Sequence, residues 1–168
     1  TSLLSGMMLW QGREQSFGSL KEHSQEKLNN LVSSFADFLT SDFFAIESSH
    51  SKKVYLRYHF QNLDVEGSVL VMNEDLISSP TQIDPRSHLD VTPQTGIQTV
   101  RCSDAGKHYL ILGHDMEYRD NEFKVYLISD ATYIHRNLSS LLNRFVLITV
   151  SICVLGLLCV LWLIRRTM

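Results

Sequence analysis

The stretch that decides the architecture lies near the C-terminal end, where residues 145–164 read FVLITVSICVLGLLCVLWLI. These twenty residues carry no charged side chain, and a helix of that length spans about 30 Å, the thickness of a bilayer's hydrocarbon core. Its hydroxyl side chains, Thr149 and Ser151, can bond to carbonyls of their own helix. Trp162 lies near the end and is followed by Arg165-Arg166, as is typical of a membrane interface. The segment predicts a transmembrane helix rather than a buried core helix.

The charges that flank this segment favour a cytoplasmic C-terminus. Lys and Arg are enriched on the cytoplasmic side of membrane helices, and Arg165-Arg166 directly follow the apolar stretch. Arg136 and Arg144 on the other flank weaken that asymmetry. We expect the polar residues 11–144 to lie outside the cytoplasm.

The first ten residues, TSLLSGMMLW, are apolar as well. A ten-residue helix covers only about 15 Å, which is too short to cross a bilayer. Our hypothesis is that residues 1–10 are the outer end of a truncated first transmembrane helix, and the alternative is a short buried N-terminal helix. The predicted organisation is therefore a truncated helix, an extracytoplasmic domain, a transmembrane helix and the start of a cytoplasmic linker, at residues 1–10, 11–144, 145–164 and 165–168.

The composition limits the classes of protein to which the chain can belong. Its 168 residues carry 15 Lys+Arg against 18 Asp+Glu, whereas nucleic-acid-binding domains usually show a basic excess. Apolar residues make up 44% and charged residues 20%, an ordinary globular mixture. Of three cysteines, only Cys102 lies outside the membrane segment, which excludes an intrachain disulfide there. We expect one mixed domain on a membrane helix, with no nucleic-acid partner.

Hydrophobic periodicity predicts a long helix followed by a strand. From Gln11 to about Thr40 apolar residues recur every three or four positions, as on one face of a helix; they are Phe17, Leu20, Leu28, Leu31, Phe35 and Phe38. From Lys52 the period changes to two, which is typical of a half-buried strand. The alternating apolar side chains are Val54, Leu56, Tyr58 and Phe60. They predict a first strand at residues 52–61.

Four more strands are predicted, at residues 68–72, 97–102, 107–116 and 122–128. Residues 73–96 hold all three prolines and predict a long loop. Residues 118–121 form the turn of a hairpin. The predicted fold class is α+β: a long N-terminal helix, a small antiparallel sheet of about five strands, and a C-terminal amphipathic helix that runs into one transmembrane helix.

Apolar residues after Asp130 step by four, three, four and three, which is a heptad pattern. We name them the heptad seam: Ile134, Leu138, Leu141, Phe145 and Ile148. No Pro or Gly interrupts the chain between the start of the seam and the membrane segment. A stiff junction of this kind transmits displacement, and we expect the seam to pack against its twin in a homodimer. The alternative is a helix that simply packs on the sheet.

The order of these segments resembles a known family. The chain is similar to the extracytoplasmic sensor region of bacterial two-component sensor histidine kinases. The shared segments, in order, are a membrane end, a long helix, a small sheet with a long loop, a closing strand VYLISD at residues 125–130, an amphipathic helix, a second span and Arg165-Arg166. The resemblance implies a PAS-like sensor of PDC or Cache type in the bacterial inner membrane. It also implies that the basic pair opens a HAMP linker.

The same resemblance places catalysis outside this chain. A phospho-accepting His and a kinase module that uses ATP and Mg²⁺ would lie beyond Met168, and a cytoplasmic response regulator would be the partner. Chemoreceptors and membrane-bound cyclic-dinucleotide enzymes share the layout. A membrane-anchored interaction or assembly protein without signalling output is the alternative from another class. No P-loop, nucleophile-elbow or zinc-protease motif occurs in the sequence, so we expect no enzymatic activity and no cofactor in this fragment.

The ligand of such a sensor is unknown, and its pocket is expected between the sheet and the long loop. Arg57 and Arg101, taken as strand residues, could each grip a carboxylate or phosphate, although both could equally face solvent. The ligand-binding candidates are Arg57, Tyr58, Arg101, Tyr109 and His114.

A metal site is the sharper alternative. His108, His114 and Met116 are evenly spaced on one predicted strand and share a face. Cys102 and His59 could join from neighbouring strands, and imidazole with sulfur suits zinc or copper. No densely spaced His or Cys pair is present, so we expect no metal.

Overall fold

The computed structural model describes residues 2–41, 48–63, 65–79, 83–89 and 96–167. The chain divides into two compact units, a globular unit at Glu14–Thr132 and a helical unit made of Thr1–Arg13 and Tyr133–Met168. In chain order the elements are α1 (Ser2–Ser41), α2 (Ser49–Asn62), β1 (Ser68–Met72), β2 (Asp75–Ser78), a 3-10 helix (Pro85–Ser87), β3 (Gln98–Asp104), β4 (Lys107–Tyr118), β5 (Asn121–Asp130) and α3 (Thr132–Thr167).

The globular unit contains a five-stranded antiparallel sheet in the order β2-β1-β5-β4-β3. Three of its connections are two-residue turns in which a residue has positive φ, as in Ala105-Gly106 between β3 and β4. Such turns match the twist of paired strands and bring them together directly. The α+β class, the long first helix and the antiparallel sheet of five strands are thereby confirmed.

The predicted strand at residues 52–61 is wrong, because this segment is the helix α2. Leu56 and Phe60 are spaced by four and both are buried, whereas Val54 and Tyr58 are exposed. The alternation of apolar residues is real, but only every second member faces the core. A spacing of four fits a helix as well as a strand, and packing against the rest of the unit decides between them.

The missing fifth strand is β2, which lies inside the predicted long loop at residues 73–96. Asn73 and Glu74 take positive φ in the turn that joins β1 to β2. Only Ile77 and Ser78 of the four strand residues are buried. Two apolar residues among polar neighbours are too few to establish an alternation, so a strand this short is not predicted from the sequence.

The main core lies between α1, α2 and one side of the sheet, which we call the helix-facing side. The predicted apolar face of α1 is confirmed, since five of its six members are buried and Leu20 is half-buried. Phe35 makes edge-on contacts with Phe60 of α2 and Phe123 of β5, with ring centroids 5.8 and 5.6 Å apart. These contacts hold both helices on the sheet.

The opposite side of the sheet carries a second, smaller core. Its buried members are Val69, Val71, Ile111, Tyr126 and Ile128. Ile83 and Leu89, from the described part of the β2–β3 connection, pack against them. The connection therefore covers part of this side of the sheet, and the sheet is buried on both faces.

Among the described residues, one helix, α3 of the helical unit, is long and apolar enough to cross a membrane. That stretch, Asn143–Arg166, has a mean hydropathy of 2.8 and none of it is buried inside the protein. Thr149 and Ser151 donate to the carbonyls of Phe145 and Leu147 at 2.9 and 2.8 Å. The expectation that their hydroxyls bond within the helix is thereby confirmed.

All five residues of the heptad seam lie on α3. Phe145 and Ile148 are exposed and Ile134 is buried. The side chains of Leu138 and Leu141 lie outside the described part of the structure. The pairing of the seam in a dimer stays a prediction, as does the assignment of residues 1–10 to a first membrane helix.

Candidate ligand cleft

The predicted ligand-binding residues are not gathered at one place. Arg101 pairs with Leu110 in the sheet and so points to the helix-facing side, whereas Tyr109 pairs with Cys102 and points to the opposite side. Arg57 lies on α2 beside β2, so its placement on a strand is wrong. Since β2 and β3 are opposite edges of the sheet, Arg57 and Arg101 do not face a common ligand.

Each of these arginines already has a partner within the globular unit. Arg101 makes two hydrogen bonds of 3.1 Å to the carboxylate of Glu14 and lies 4.1 Å from the ring centroid of Phe17. Arg57 donates from Nε to the carbonyl of Ile77 at 2.7 Å. Tyr58 is exposed on the outer surface of α2. The contacts of Arg101 attach α1 to the edge strand β3, and the hydrogen bond of Arg57 attaches α2 to the edge strand β2.

The proposed metal ligands are separated in the same way. The even-numbered residues of β4, including His108, His114 and Met116, share the helix-facing side. Cys102 faces the opposite side, and His59 lies on α2, where its ring stacks on Phe38 at 3.7 Å. In the described part of the chain, no group of three or more His, Cys, Asp or Glu is arranged to hold a metal ion.

A cleft of about 720 Å³ opens at one end of the sheet, between α1, the end of α2 and the adjoining ends of β1 and β5, and residues from both sides of the sheet line it. Tyr109 is the one predicted candidate that lines it. Its other lining residues include Leu20 and Phe60, which contribute apolar surface. The volume is within the range of small-molecule sites.

Four serines line the cleft, and we call them the serine cluster: Ser24, Ser68, Ser78 and Ser129. Ser68 pairs with Leu127 and Ser78 with Leu70, so both lie on the helix-facing side among core residues. Ser24 and Ser129 are joined by a hydrogen bond of 2.9 Å between their hydroxyls. Three adjacent strands and one helix thus bring four hydroxyl-bearing residues to one depression.

The rim of the cleft carries charges of both signs. His23 and Lys27 come from α1, and Glu66 comes from the turn before β1. Asp130, at the end of β5, accepts a hydrogen bond of 2.7 Å from the backbone N–H of Thr132. This carboxylate therefore caps the first turn of α3. The rim has no single sign that would select a strongly charged ligand.

The boundaries of the globular unit are attached to a single hairpin. Arg101 of β3 binds Glu14, where α1 enters the unit. His108 of β4 donates its backbone N–H to the Thr132 hydroxyl at 3.0 Å, and its carbonyl accepts from the Ala131 N–H at 2.8 Å. The β3–β4 hairpin therefore contacts the chain at its entry into the unit and at its exit.

The sequence pattern does not predict the serine cluster, although one of its members, Ser24, stands out on α1. Ser24 interrupts the apolar face of α1 and is nevertheless almost fully buried. A buried serine on a helix face needs a polar partner, which here is Ser129, 105 positions later. No local pattern connects two residues so far apart.

Comparison of the chain with protein-family models, with curated proteins and with solved structures finds no match.

Proposed function

We propose that this chain is the signal-sensing part of a membrane receptor, with the globular unit outside the cytoplasm of a bacterium and α3 leading through the inner membrane. The observation that carries the proposal is the continuity of α3, which begins at Thr132 beside the sheet and continues as one helix into the apolar stretch Asn143–Arg166. A domain that is merely anchored is served by a flexible linker. In α3 no such linker separates the first turn from the apolar stretch.

The sheet supports a PAS-like sensor. Its five antiparallel strands, preceded by the long helix α1, agree with the small sheet and long helix that the resemblance implies. In this proposal the output module is a histidine kinase C-terminal to Met168, which would use ATP and Mg²⁺ and phosphorylate a response regulator.

The β3–β4 hairpin supplies a physical route for the signal. Because it bonds to Glu14 and to Thr132, a change in the hairpin alters both boundaries of the globular unit together. A ligand biases such a change only if it binds two arrangements of the unit with different affinities. Ser129 and Asp130 of β5 line the cleft directly before α3 begins, so a ligand bound there would contact the strand that leads into α3.

Other classes of protein fit part of these observations. A chemoreceptor or a cyclic-dinucleotide enzyme would use the same sensor with a different output module. A membrane-anchored assembly protein would need neither a ligand cleft nor a rigid junction. The cleft and the uninterrupted α3 therefore favour a sensor.

Topology reporters test the proposal. An enzyme that is active only outside the cytoplasm, inserted in the exposed turn at Ala105-Gly106, is expected to be active, and the same enzyme fused after Met168 is expected to be inactive. A reporter active only in the cytoplasm is the matched control and gives the opposite pattern. If the enzyme after Met168 is active and the one at the turn is inactive, the sensor proposal is wrong.

A further inference from the structure

The two edges of the sheet differ in what covers them. At the β2 edge, the carbonyl of Ile77 accepts a hydrogen bond from Arg57 of α2 at 2.7 Å, and Lys53 of the same helix forms an ion pair with Asp75. Among the described residues, β3 at the opposite edge pairs with β4 alone. Because an edge strand presents a row of backbone groups to other chains, β3 is the edge at which the sheet can be extended.

The ladder between β3 and β4 identifies the backbone groups that face this edge. The N–H and C=O of His108 bond to residues that directly follow β5, on the other side of β4 from β3. In an antiparallel pair, opposite residues alternate between exchanging both hydrogen bonds with each other and directing both groups outward. Ser103 is opposite His108, so its backbone groups point away from β4. The outward-facing residues of β3 are therefore Thr99, Arg101 and Ser103.

β3 has none of the features that commonly protect a sheet edge. Natural edge strands are interrupted by Pro, by Lys or by a β-bulge, whereas residues 98–104 read QTVRCSD and pair with β4 without a shift in register. Arg101 is the one cation of the strand, and it is bonded to the carboxylate of Glu14. Like charges on opposite strands destabilise a pair, and this ion pair removes that penalty when two copies of β3 meet.

We propose that β3 is an interface at which two copies of this chain pair antiparallel, edge to edge, so that their five-stranded sheets become continuous. A two-fold axis at Arg101 places Thr99 of each copy opposite Ser103 of the other. Each of the three pairs so formed exchanges two hydrogen bonds, and no other two-fold register uses all three outward-facing residues of both copies. A two-fold contact is also the commonest symmetry of protein dimers.

A second copy supplies a strand of the same length whose cation is already neutralised. Copies held in one membrane by α3, as proposed above, also meet at a high effective concentration, so that a contact limited to one strand is sufficient. The interface goes beyond the sensor function and stands whether or not the chain transmits a signal.

Cross-linking of the full chain in membranes tests the register. Cys153 and Cys159 are replaced by serine; one form keeps Cys102, and a co-expressed form with a tag of different size carries Val100→Cys and Cys102→Ser. The proposed register places position 100 of one copy opposite position 102 of the other in a non-hydrogen-bonded pair, whose Cα atoms are about 4.5 Å apart and within reach of a disulfide. Oxidation with diamide should join the two forms about tenfold faster than it joins either form to itself.

Proline variants separate strand pairing from chance encounters in the membrane. Because the N–H of Ser103 points outward, Ser103→Pro removes a hydrogen bond of the proposed interface and none of the ladder with β4. The mixed disulfide should then form about tenfold more slowly. Ser103→Ala keeps the N–H and is the matched control. Thr99→Pro, at the other end of the same row, is the second variant if the melting temperature shows that the first does not fold.

Two results would overturn the inference: a mixed disulfide that forms no faster than the self-linked products, or a rate that a folded proline variant leaves unchanged. The β3 edge would then be free or would belong to a partner of different sequence. The reporter experiment on topology is independent of both results, so failure of this interface and failure of the sensor proposal are distinguishable.

Discussion

The hydroxyl of Ser24 in α1 lies 2.9 Å from the hydroxyl of Ser129 in β5. Ser24 is almost fully buried, so the pair fixes the register of the long helix on the sheet at the one point where the apolar face of α1 is interrupted. The same pair lines the cleft, and Ser129 is followed by Asp130, which caps α3. One hydrogen bond thus connects the first helix, the candidate ligand site and the strand that leads into α3.

This bond is expected to contribute measurably to stability. Removing one partner leaves the other hydroxyl without its bond, so Ser24→Ala and Ser129→Ala should each lower the free energy of unfolding by about 1 kcal/mol. In the double variant the loss should be smaller than the sum of the two, with a coupling of about 0.5–1.5 kcal/mol. Urea titration of the full chain measures all four proteins. A control cycle with the exposed Ser33 in place of Ser24 should show no coupling; equal coupling in both cycles contradicts the bond.

Gly67 is expected to tolerate no side chain. Its φ is +79°, and a Cβ built on it would lie 2.2 Å from the carbonyl oxygen of Ile128. The Gly67 carbonyl also accepts from the Ile128 N–H at 2.9 Å, so the two strands cannot separate without loss of this bond. Gly67→Ala should therefore destabilise the globular unit by about 3 kcal/mol or more.

Gly106 provides the matched control for this substitution. Its φ is +77°, and no atom lies within 4 Å of a Cβ built there. Gly106→Ala carries the backbone strain alone, and we expect it to cost about 1 kcal/mol. Thermal unfolding followed by circular dichroism compares the two variants. Equal losses of stability would mean that the close approach of Ile128 is relieved at no cost.

The Arg101–Glu14 pair is expected to depend on the shape of the guanidinium group. Arg101 bonds through two nitrogens to both carboxylate oxygens and also lies over Phe17. A lysine can reproduce the charge but neither the paired hydrogen bonds nor the stacking. Because both side chains are partly exposed, Arg101→Lys should lower the free energy of unfolding by only about 0.5–1 kcal/mol.

The same pair allows a test of specificity. In a Glu14→Gln background, Arg101→Lys should cost less than in the parent, since the carboxylate has already been removed. Arg57→Lys, on the other edge of the sheet, should cost the same in both backgrounds. Urea titrations of these variants give the difference. A cost of Arg101→Lys that is independent of Glu14 would show that the ion pair does not attach α1 to β3.

The sequence could predict those elements whose signal is local. The apolar residues of α1 recur every three or four positions, and those of the strands around residues 68–72 and 107–128 form short runs or alternate. The apolar stretch of α3 is recognised by its length and its lack of charge. The helix α2 was misassigned because Leu56 and Phe60 fit either period until the core is known. The serine cluster could not be predicted, because it joins Ser24 and Ser129 across most of the chain, and isolated serines carry no period.

Asp115 is expected to make the globular unit less stable as the pH rises. Burial, followed by the nearby charge of Glu122, raises the pKa of the Asp115 carboxyl, and its Oδ1 has no hydrogen-bond partner among the described residues. A group whose pKa is raised in the folded state favours folding while it is protonated. That contribution is complete below its unfolded pKa of about 3.9 and is lost as the pH rises through the folded value.

Asp115→Asn removes this titration while it keeps the shape of the side chain. Relative to the parent, the variant should gain stability as the pH is raised from below 4 toward neutrality. Asp104→Asn, at an exposed position of β3, is the matched control. Melting temperatures of all three proteins across this range provide the measurement. A variant whose stability relative to the parent does not change with pH contradicts the role of Asp115.

The last prediction concerns the heptad seam and rests on the proposed homodimer. Cys102, Cys153 and Cys159 are free thiols, so they are first replaced by alanine or serine to give a cysteine-free parent. Single cysteines are then introduced at two seam positions, Leu138 and Leu141, and at two positions off the seam, Ser140 and Asn143.

If two copies of α3 pack along the seam, the seam positions face their twins across a two-fold axis. Cysteines at 138 and 141 should then form disulfides between protomers much faster than cysteines at 140 and 143. The rates are measured in membranes under mild oxidation, by non-reducing electrophoresis. Ser140 and Asn143 are exposed on the same helix, so their reactivity toward a small maleimide controls for access to the thiol. Equal cross-linking rates at all four positions would mean that α3 does not pair along this face, and that it anchors the globular unit without carrying a rotation or displacement to the other side of the membrane.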